Sequence, residues 1–434
     1  MEKIKIATER LFLRSPNINV CFRMLITGMI DRNRFQPAID RVCKRHPLLN
    51  CSIETDKEHN AWFIPNTSHI KIEYYNSEEI ADWQDWYKKT DNIPFDFIHG
   101  PLVKICVISG TDETEIIVLG HHIIGDGIGY LNLAKDILLS LDNKLGIIPQ
   151  IPLPDNKFKQ GGKLRFLSGL YAKKLNRKWK KNRIFFSEND YYVFFEQYRN
   201  KFISAIYMNS IHETDLQKLI DICKINNITV NELITSAFAI AMVELSGNYP
   251  DKEIRIGVAA NTRNELITEP CHCMGNYVTG IAANINYIPE KDFITNTKKI
   301  SSTIRKKLTN PKTRHLIVHF LNAFDTDLVE SIMFAAYGNY QLPVAEKIGD
   351  LIGERMDKKG LGISNLGRHE ISGYDTIQLS DMQFIGPAFP ANLLSVSIIT
   401  VNNKLNLCLR YNETEIETTI VEKIYQKVIE LLLQ

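Results

Sequence analysis

Apolar and polar positions along the first third of the chain change period every ten residues or so. Asn19 to Thr27 is apolar and β-prone and predicts a strand. Arg34 to His46 spaces Phe35, Ala38, Ile39 and Val42 for one face of a helix, and Pro47 ends it, because the residue before proline avoids helical geometry. Cys51 to Glu54 and Ala61 to Pro65 predict a hairpin, Ile70 to Tyr75 a further strand and Ile80 to Lys89 a helix. Leu102 to Ser109 and Glu115 to Leu119 follow as β-rich runs around the turn Gly110-Thr111-Asp112, then Gly129 to Leu141 as a helix.

Residues 142–156 hold three prolines and no periodicity, the pattern of a linker. Beyond it a similar grammar returns. Lys201 to Met208 predicts a strand, Glu213 to Ile225 a helix, Thr229 to Leu245 a long apolar helix and Glu253 to Ala260 a buried strand. Leu351 to Leu361 heads a run of short strands that ends in Ser395 to Val401 and Leu405 to Tyr411, and Ile416 to Leu433 closes the chain as an amphipathic helix. The expected organisation is two similar α+β subdomains, 1–156 and 195–434, joined by a basic amphipathic connector, 157–194.

A length of 434 residues agrees with two cores rather than one. With 44% hydrophobic and 24% charged residues and a net charge of +2, the chain has the balance of a soluble globular protein, and nucleic acid is not an expected partner. No run has the make-up of a signal peptide or membrane span, so a cytoplasmic location is expected. The eight cysteines form no disulfide framework, and Cys271-His272-Cys273 lacks the second ligand pair that zinc needs, so no metal is expected.

One segment carries chemistry: His121-His122-Ile123-Ile124-Gly125-Asp126-Gly127. Average composition would give two adjacent histidines with Asp-Gly at this spacing in roughly one chain in a thousand. The strand before it delivers the histidines to its end, and Gly125, Gly127 and Gly129 let the backbone turn into a helix. A histidine held there beside a cleft suits general-base catalysis near neutral pH. Taken alone, Asp126 would serve as a helix N-cap and a histidine pair as satisfied core. Together in a strand–turn–helix setting they point to a site.

HHIIGDG resembles the HHxxxDG signature of the condensation-domain superfamily of CoA- and carrier-protein-dependent acyltransferases. Further segments resemble that superfamily in the same order. They are Arg45-His46-Pro47-Leu48-Leu49, Pro94-Phe95-Asp96-Phe97 with Gly100-Pro101-Leu102, Thr229-Val230-Asn231-Glu232, Arg255-Ile256-Gly257-Val258 with Asn261-Thr262-Arg263, Gly275-Asn276-Tyr277, and Ser364-Asn365-Leu366-Gly367-Arg368. The last is similar to the alcohol acetyltransferase branch, with the polyketide-associated acyltransferases close to it.

The resemblance implies two chloramphenicol-acetyltransferase-like subdomains forming a V-shaped pseudodimer, with an active-site tunnel at their interface. It makes His122 the general base, His121 its support and Asp126 a structural carboxylate paired with an arginine, for which Arg45 and Arg263 are preferred over Arg14. Gly127 would leave room for the pantetheine arm of the donor. Ser364 and Asn365 would lie in a loop bordering the tunnel, and Asn392, Ser395 and Ser397 are candidates to stabilise an oxyanion. The implied reaction moves an acyl group from acyl-CoA or acyl-phosphopantetheine on a carrier protein to an alcohol or amine, with no permanently bound cofactor.

No adenylation or carrier module flanks the segment, so a free-standing enzyme is expected. Amide-forming condensation between carrier-bound groups and a non-catalytic docking scaffold stay open as alternatives. Between Lys157 and Arg183 stand eleven Lys or Arg and no acid. That stretch has three readings: a solvated linker, a patch for an acidic carrier protein or CoA phosphates, or a peripheral membrane-surface helix.

Overall fold

The structure, a computed structural model, describes every residue except 1–2, 17, 67–68, 81, 147–156, 161–163, 165, 269, 271, 354–358, 390 and 434. Strands β1 (Ile4–Lys5) and β2 (Asn19–Thr27), helix α1 (Phe35–Arg45), strands β3 (Cys51–Thr55), β4 (Ala61–Pro65) and β5 (Ile72–Asn76) and helix α2 (Trp83–Asp91) come first. Strands β6 (Val103–Ser109) and β7 (Glu113–His121) and helix α3 (Gly127–Leu141) complete the first half. Helices α4 (Phe166–Trp179) and α5 (Glu188–Lys201) lead to β8 (Ser204–Ile211), α6 (Glu213–Asn226), α7 (Val230–Leu245), β9 (Glu253–Asn261) and β10 (Val278–Asn286). Five helices follow: α8 (Phe293–Leu308), α9 (Pro311–Arg314), α10 (Leu316–Leu321), α11 (Thr326–Tyr337) and α12 (Pro343–Ile352). Strands β11 (Gly360–His369), β12 (Gln378–Ile385), β13 (Asn392–Val401) and β14 (Lys404–Asn412) and helix α13 (Thr418–Leu433) finish the chain.

Two open sheets organise the molecule, in the orders β12-β2-β7-β6-β5 and β10-β9-β11-β13-β14-β8, beside a small sheet β1-β4-β3. Alternate residues of β7 enter different clusters: Ile116 and Val118 join the main first-half core, Ile117 and Leu119 the core under α2. Both faces of the strand are therefore buried, which is why its sequence is continuously apolar rather than alternating. In the second half α7 is buried nearly all round, and Thr229 with Glu232 closes a capping box at its start.

Several expectations are corrected. β12 belongs to the second half in sequence but pairs antiparallel with β2 of the first sheet, Ile385 opposite Cys21. The boundary at residue 195 falls inside α5. α4 and α5 are no mere connector: Leu175, Trp179, Phe194 and Tyr198 pack with α11 and α12 in a third core. Leu351 and Ile352 close α12, which ends at Gly353, whose φ of +84° suits the left-handed turn after a helix; Gly360 and Leu361 open β11, and residues 354–358 lie outside the described residues. Residues 147–156 of the expected linker lie outside the described residues. Among the described residues no single helix is long and apolar enough to cross a membrane.

β9 and β11 pair only over Leu361–Ile363, whereas β9 pairs with β10 along its whole length to Asn261. Beyond Ile363 the two neighbours diverge, and the sheet opens into a cavity facing the end of β7.

Candidate active site

The turn after β7 is fixed from both halves of the chain. His121 is fully buried, pairs with Asn19 in the ladder and has an Nε2–H to Ser15 O contact of 3.2 Å, while its Nδ1 accepts Ile123 N–H at 3.3 Å. Phe95 and Phe97 present ring edges to it. Burial brings its pKa down to about 3, partly offset by the Ser15 carbonyl and reinforced by His122. Its neutral ring braces the turn.

His122 lies in the wall of the cavity, with the Phe12 ring centroid 4.7 Å away. Burial pulls its imidazole below the ordinary histidine value, while Asp126, its own carbonyl and the Asn276 side chain pull it back. Asn276 Nδ2 donates to the carbonyls of His122 (2.7 Å) and Ile123 (2.9 Å). Among the described residues, His122 Nδ1 and Asn276 Oδ1 are both buried without a partner in hydrogen-bond geometry. A neutral imidazole in the wall of a cavity is equipped to accept a proton.

Asp126 has no lone pair to spare. Oδ1 accepts Gly129 N–H and Arg263 Nη2, both at 2.8 Å; Oδ2 accepts Arg263 Nη1 at 2.9 Å and Tyr277 N–H at 2.8 Å. It caps α3 and forms a bidentate buried ion pair across the two halves, with Arg263 also over the Tyr277 ring. Such a carboxylate holds shape rather than moving protons.

Of the candidate partners of Asp126, the structure selects Arg263. Arg45 pairs instead with Asp136 of α3 at 2.8 Å, beside His46, which also contacts Asp136 at 2.9 Å and accepts Met274 N–H at 3.0 Å. Arg14 pairs with Glu330 and Glu188. Gly127 lines the cavity, and a Cβ there would lie 2.8 Å from Leu366 Cδ2 and 3.2 Å from Phe384 Cζ, so any side chain at this position would crowd the wall.

The cavity has a volume of about 710 Å³ and mostly apolar walls from both halves. Ser364, Asn392, Ser395 and Ser397 line it. Ser364 stands on β11, not in a loop, directly opposite Ser397 of β13. Asn365, the next residue, does not line the cavity. Strand residues alternate faces, and Asn365 turns to Asn231 of α7 (2.9 Å) and accepts Gly367 N–H. Ser397 Oγ accepts Gly386 N–H at 2.8 Å, leaving its own hydroxyl proton to donate. Among the described residues no three side chains are grouped to hold a metal; Cys271 lies outside them.

Asn276 and Phe12 were missed by sequence reasoning. Asn276 sits in Gly-Asn-Tyr, whose order along the chain already matched the superfamily; nothing in the sequence around Phe12 gave a signal.

Residues 7–145 match the Condensation domain family. The chain is 28% identical over 140 residues to Gramicidin S synthase 2 of Aneurinibacillus migulanus, covering 30% of this chain and 3% of that protein. It thus spans only a few per cent of the length of such curated relatives. Among solved structures, it matches the TRI3 trichothecene 15-O-acetyltransferase of Fusarium sporotrichioides with a TM-score of 0.68 and 12% identity over 99% of this chain and 95% of that one. The condensation domain of the Monacolin K polyketide synthase MokA matches with a TM-score of 0.66 and 12% identity over 100% and 97%. The match to the Condensation domain family is confined to residues 7–145, and the chain as a whole shares with these solved structures a fold of two chloramphenicol-acetyltransferase-like subdomains.

Proposed function

We propose that the chain transfers an acyl group from a CoA or carrier-protein thioester to an alcohol or amine, with His122 as general base. The observation that carries the reading is a buried imidazole, biased to the neutral form, in the wall of an apolar cavity built by both halves. The acceptor O–H or N–H gives its proton to His122 as its lone pair attacks the thioester carbonyl carbon. The tetrahedral oxyanion then collapses, the C–S bond breaks, and the departing sulfur takes the proton back from His122. A positioned base contributes about 10²- to 10⁴-fold, and holding both partners in line contributes more. Ser364, Asn392 and Ser397 are the proposed hydrogen-bond donors to the oxyanion.

Two observations pull the choice of acceptor apart. The resemblance to a peptide synthetase favours amide formation between carrier-bound groups, and the likeness to a 15-O-acetyltransferase favours ester formation. The branch assignment to alcohol acetyltransferases, the cytoplasmic location and peripheral membrane contact through 157–183 belong to this proposal too. The test is release of free thiol from acyl-CoA and acyl-carrier donors, with a panel of alcohols and amines, by wild type and His122→Ala. Loss of turnover by at least about 10²-fold in the variant is expected. Equal turnover by the two proteins would refute the role of His122, and no turnover with any donor would favour a docking scaffold.

A further inference from the structure

Helix α4 has two unlike faces. Ala172, Leu175 and Trp179 point inward and are buried. The outward face starts with Phe166, Leu167 and Leu170, which are 78%, 77% and 47% exposed. At helical spacing the same face continues with Lys173, Lys174, Arg177 and Lys178, all exposed, and exposed Lys181 follows in the turn after the helix. Between Lys157 and Arg183 no acid occurs. Lys180 and Arg183, at the end of the stretch, pair with Asp325 and Asp327.

The inner side of the same segment reaches the active-site cavity. Leu164 and Ser168 line the space that His122 also lines. Leu316 and Leu351, half exposed, line it as well. An apolar tip, an apolar rim and a basic shaft therefore stand side by side at one end of the cavity.

Exposed lysines alone would suit an acidic protein. Three large apolar side chains at the helix tip, next to an apolar opening, suit hydrocarbon, and the basic shaft behind them suits anionic headgroups. We propose that the outer face of α4 docks on an anionic bilayer with its Phe166-Leu167-Leu170 tip in the acyl boundary, and that the adjoining cavity takes a lipid-chain substrate directly from that bilayer. The loading step rests on the acyl-transfer reading; the docking step does not. A chain that moves from bilayer to cavity is never exposed to water.

The test is co-flotation of the full-length chain with phosphatidylserine-containing vesicles against pure phosphatidylcholine vesicles. Binding to the former is expected, weakened by salt, and by roughly fivefold for each of Lys173, Lys174 and Lys178 converted to Ala. Phe166→Ser/Leu167→Ser should weaken it by at least about tenfold with an unchanged melting temperature. On vesicles this variant should lose turnover of a membrane-embedded long-chain alcohol, while a short water-soluble acceptor reacts as with wild type. Absence of binding to anionic vesicles, or binding indifferent to the double substitution, overturns the docking. Capture of the chain by an acidic carrier protein without vesicle binding assigns the basic face elsewhere and also overturns it. Unchanged use of the embedded alcohol by the variant overturns the loading. His122→Ala should bind vesicles as wild type does, so that unimpaired turnover in that variant would sink the acyl-transfer reading and leave the docking standing.

Discussion

Replacing Asp126 by Asn separates a carboxylate that holds shape from one that takes part in chemistry. The side chain keeps its size but exchanges one acceptor oxygen for an NH₂ donor. In either amide orientation that donor meets two others. In one it faces Arg263 Nη1 and Tyr277 N–H, in the other Arg263 Nη2 and Gly129 N–H. The Arg263 guanidinium, only 9% exposed, is left without its counter-charge. Breaking a buried pair from one side costs about 3–5 kcal/mol. Asn retains one accepting oxygen, so the lower end, about 3 kcal/mol, is expected. If the loss falls on one half of about 200 residues, melting drops by roughly 6–12 °C.

The rate should fall with it, since a turn displaced by about 1 Å can lose about 10²-fold. Asp126 also raises the His122 pKa, so the acid limb of the rate profile should move to lower pH in the variant. Thermal melting, thiol release from the donor and its pH profile are the assays. Asp126→Asn combined with Arg263→Met removes the stranded cation, and should melt above Asp126→Asn alone. A variant that melts as wild type yet loses more than tenfold in rate would refute the structural role. Strictly additive losses in the double variant would refute the coupling.

Three further outcomes follow from the same geometry. His122 works as a base only when neutral and is biased below the ordinary value near 6.5, so the acid limb of kcat/KM against pH should lie below 6.5; a limb above it would contradict the burial argument. His121 is held at about 3, below its unfolded value, so the unfolded chain binds more protons between those limits: its contribution to stability is full above about 6.5 and is lost as pH falls towards 3. Melting temperature should decline with acidification in that window, and less steeply in His121→Asn, whereas equal slopes would count against the assignment. Arg45→Ala removes a quarter-exposed partner of Asp136, which keeps His46; about 1 kcal/mol of stability should go, with kcat/KM within about twofold of wild type, and an Arg263-like loss of activity would contradict the separation of the two arginines.

Local pattern made much of the frame legible. β2 and β4 have the bounds their residue pattern predicts, and β7, α1, α3 and α13 lie within a few residues of theirs, because buried faces write their period into the chain. β12 was not placed, since pairing with β2 across more than 350 residues leaves no local mark. The helices α10 to α12 were missed as well; their apolar residues serve a third core shared with α4 and α5, a partnership that spans more than 100 residues of sequence. Ser364 and Asn365, adjacent in sequence, were read together as loop. Once β11 is a strand, its alternation sends one into the cavity and the other away.

The seven-residue motif was legible for a different reason, which also sets its limit. His121, His122, Asp126 and Gly127 are contiguous, so their chemistry could be seen without knowing the fold. What makes them rigid is not contiguous. Of the four hydrogen bonds that Asp126 accepts, one comes from Gly129 and three come from Arg263 and Tyr277, more than 130 residues away. The carbonyls of His122 and Ile123 are held by Asn276 of that same distant segment. Sequence can nominate several arginines for such a role but cannot rank them by distance, which is why Arg45 stood level with Arg263. The base therefore comes from the first half and its positioning from the second, so a variant that loosens contact between the halves should lower turnover even with His121 to Gly127 intact.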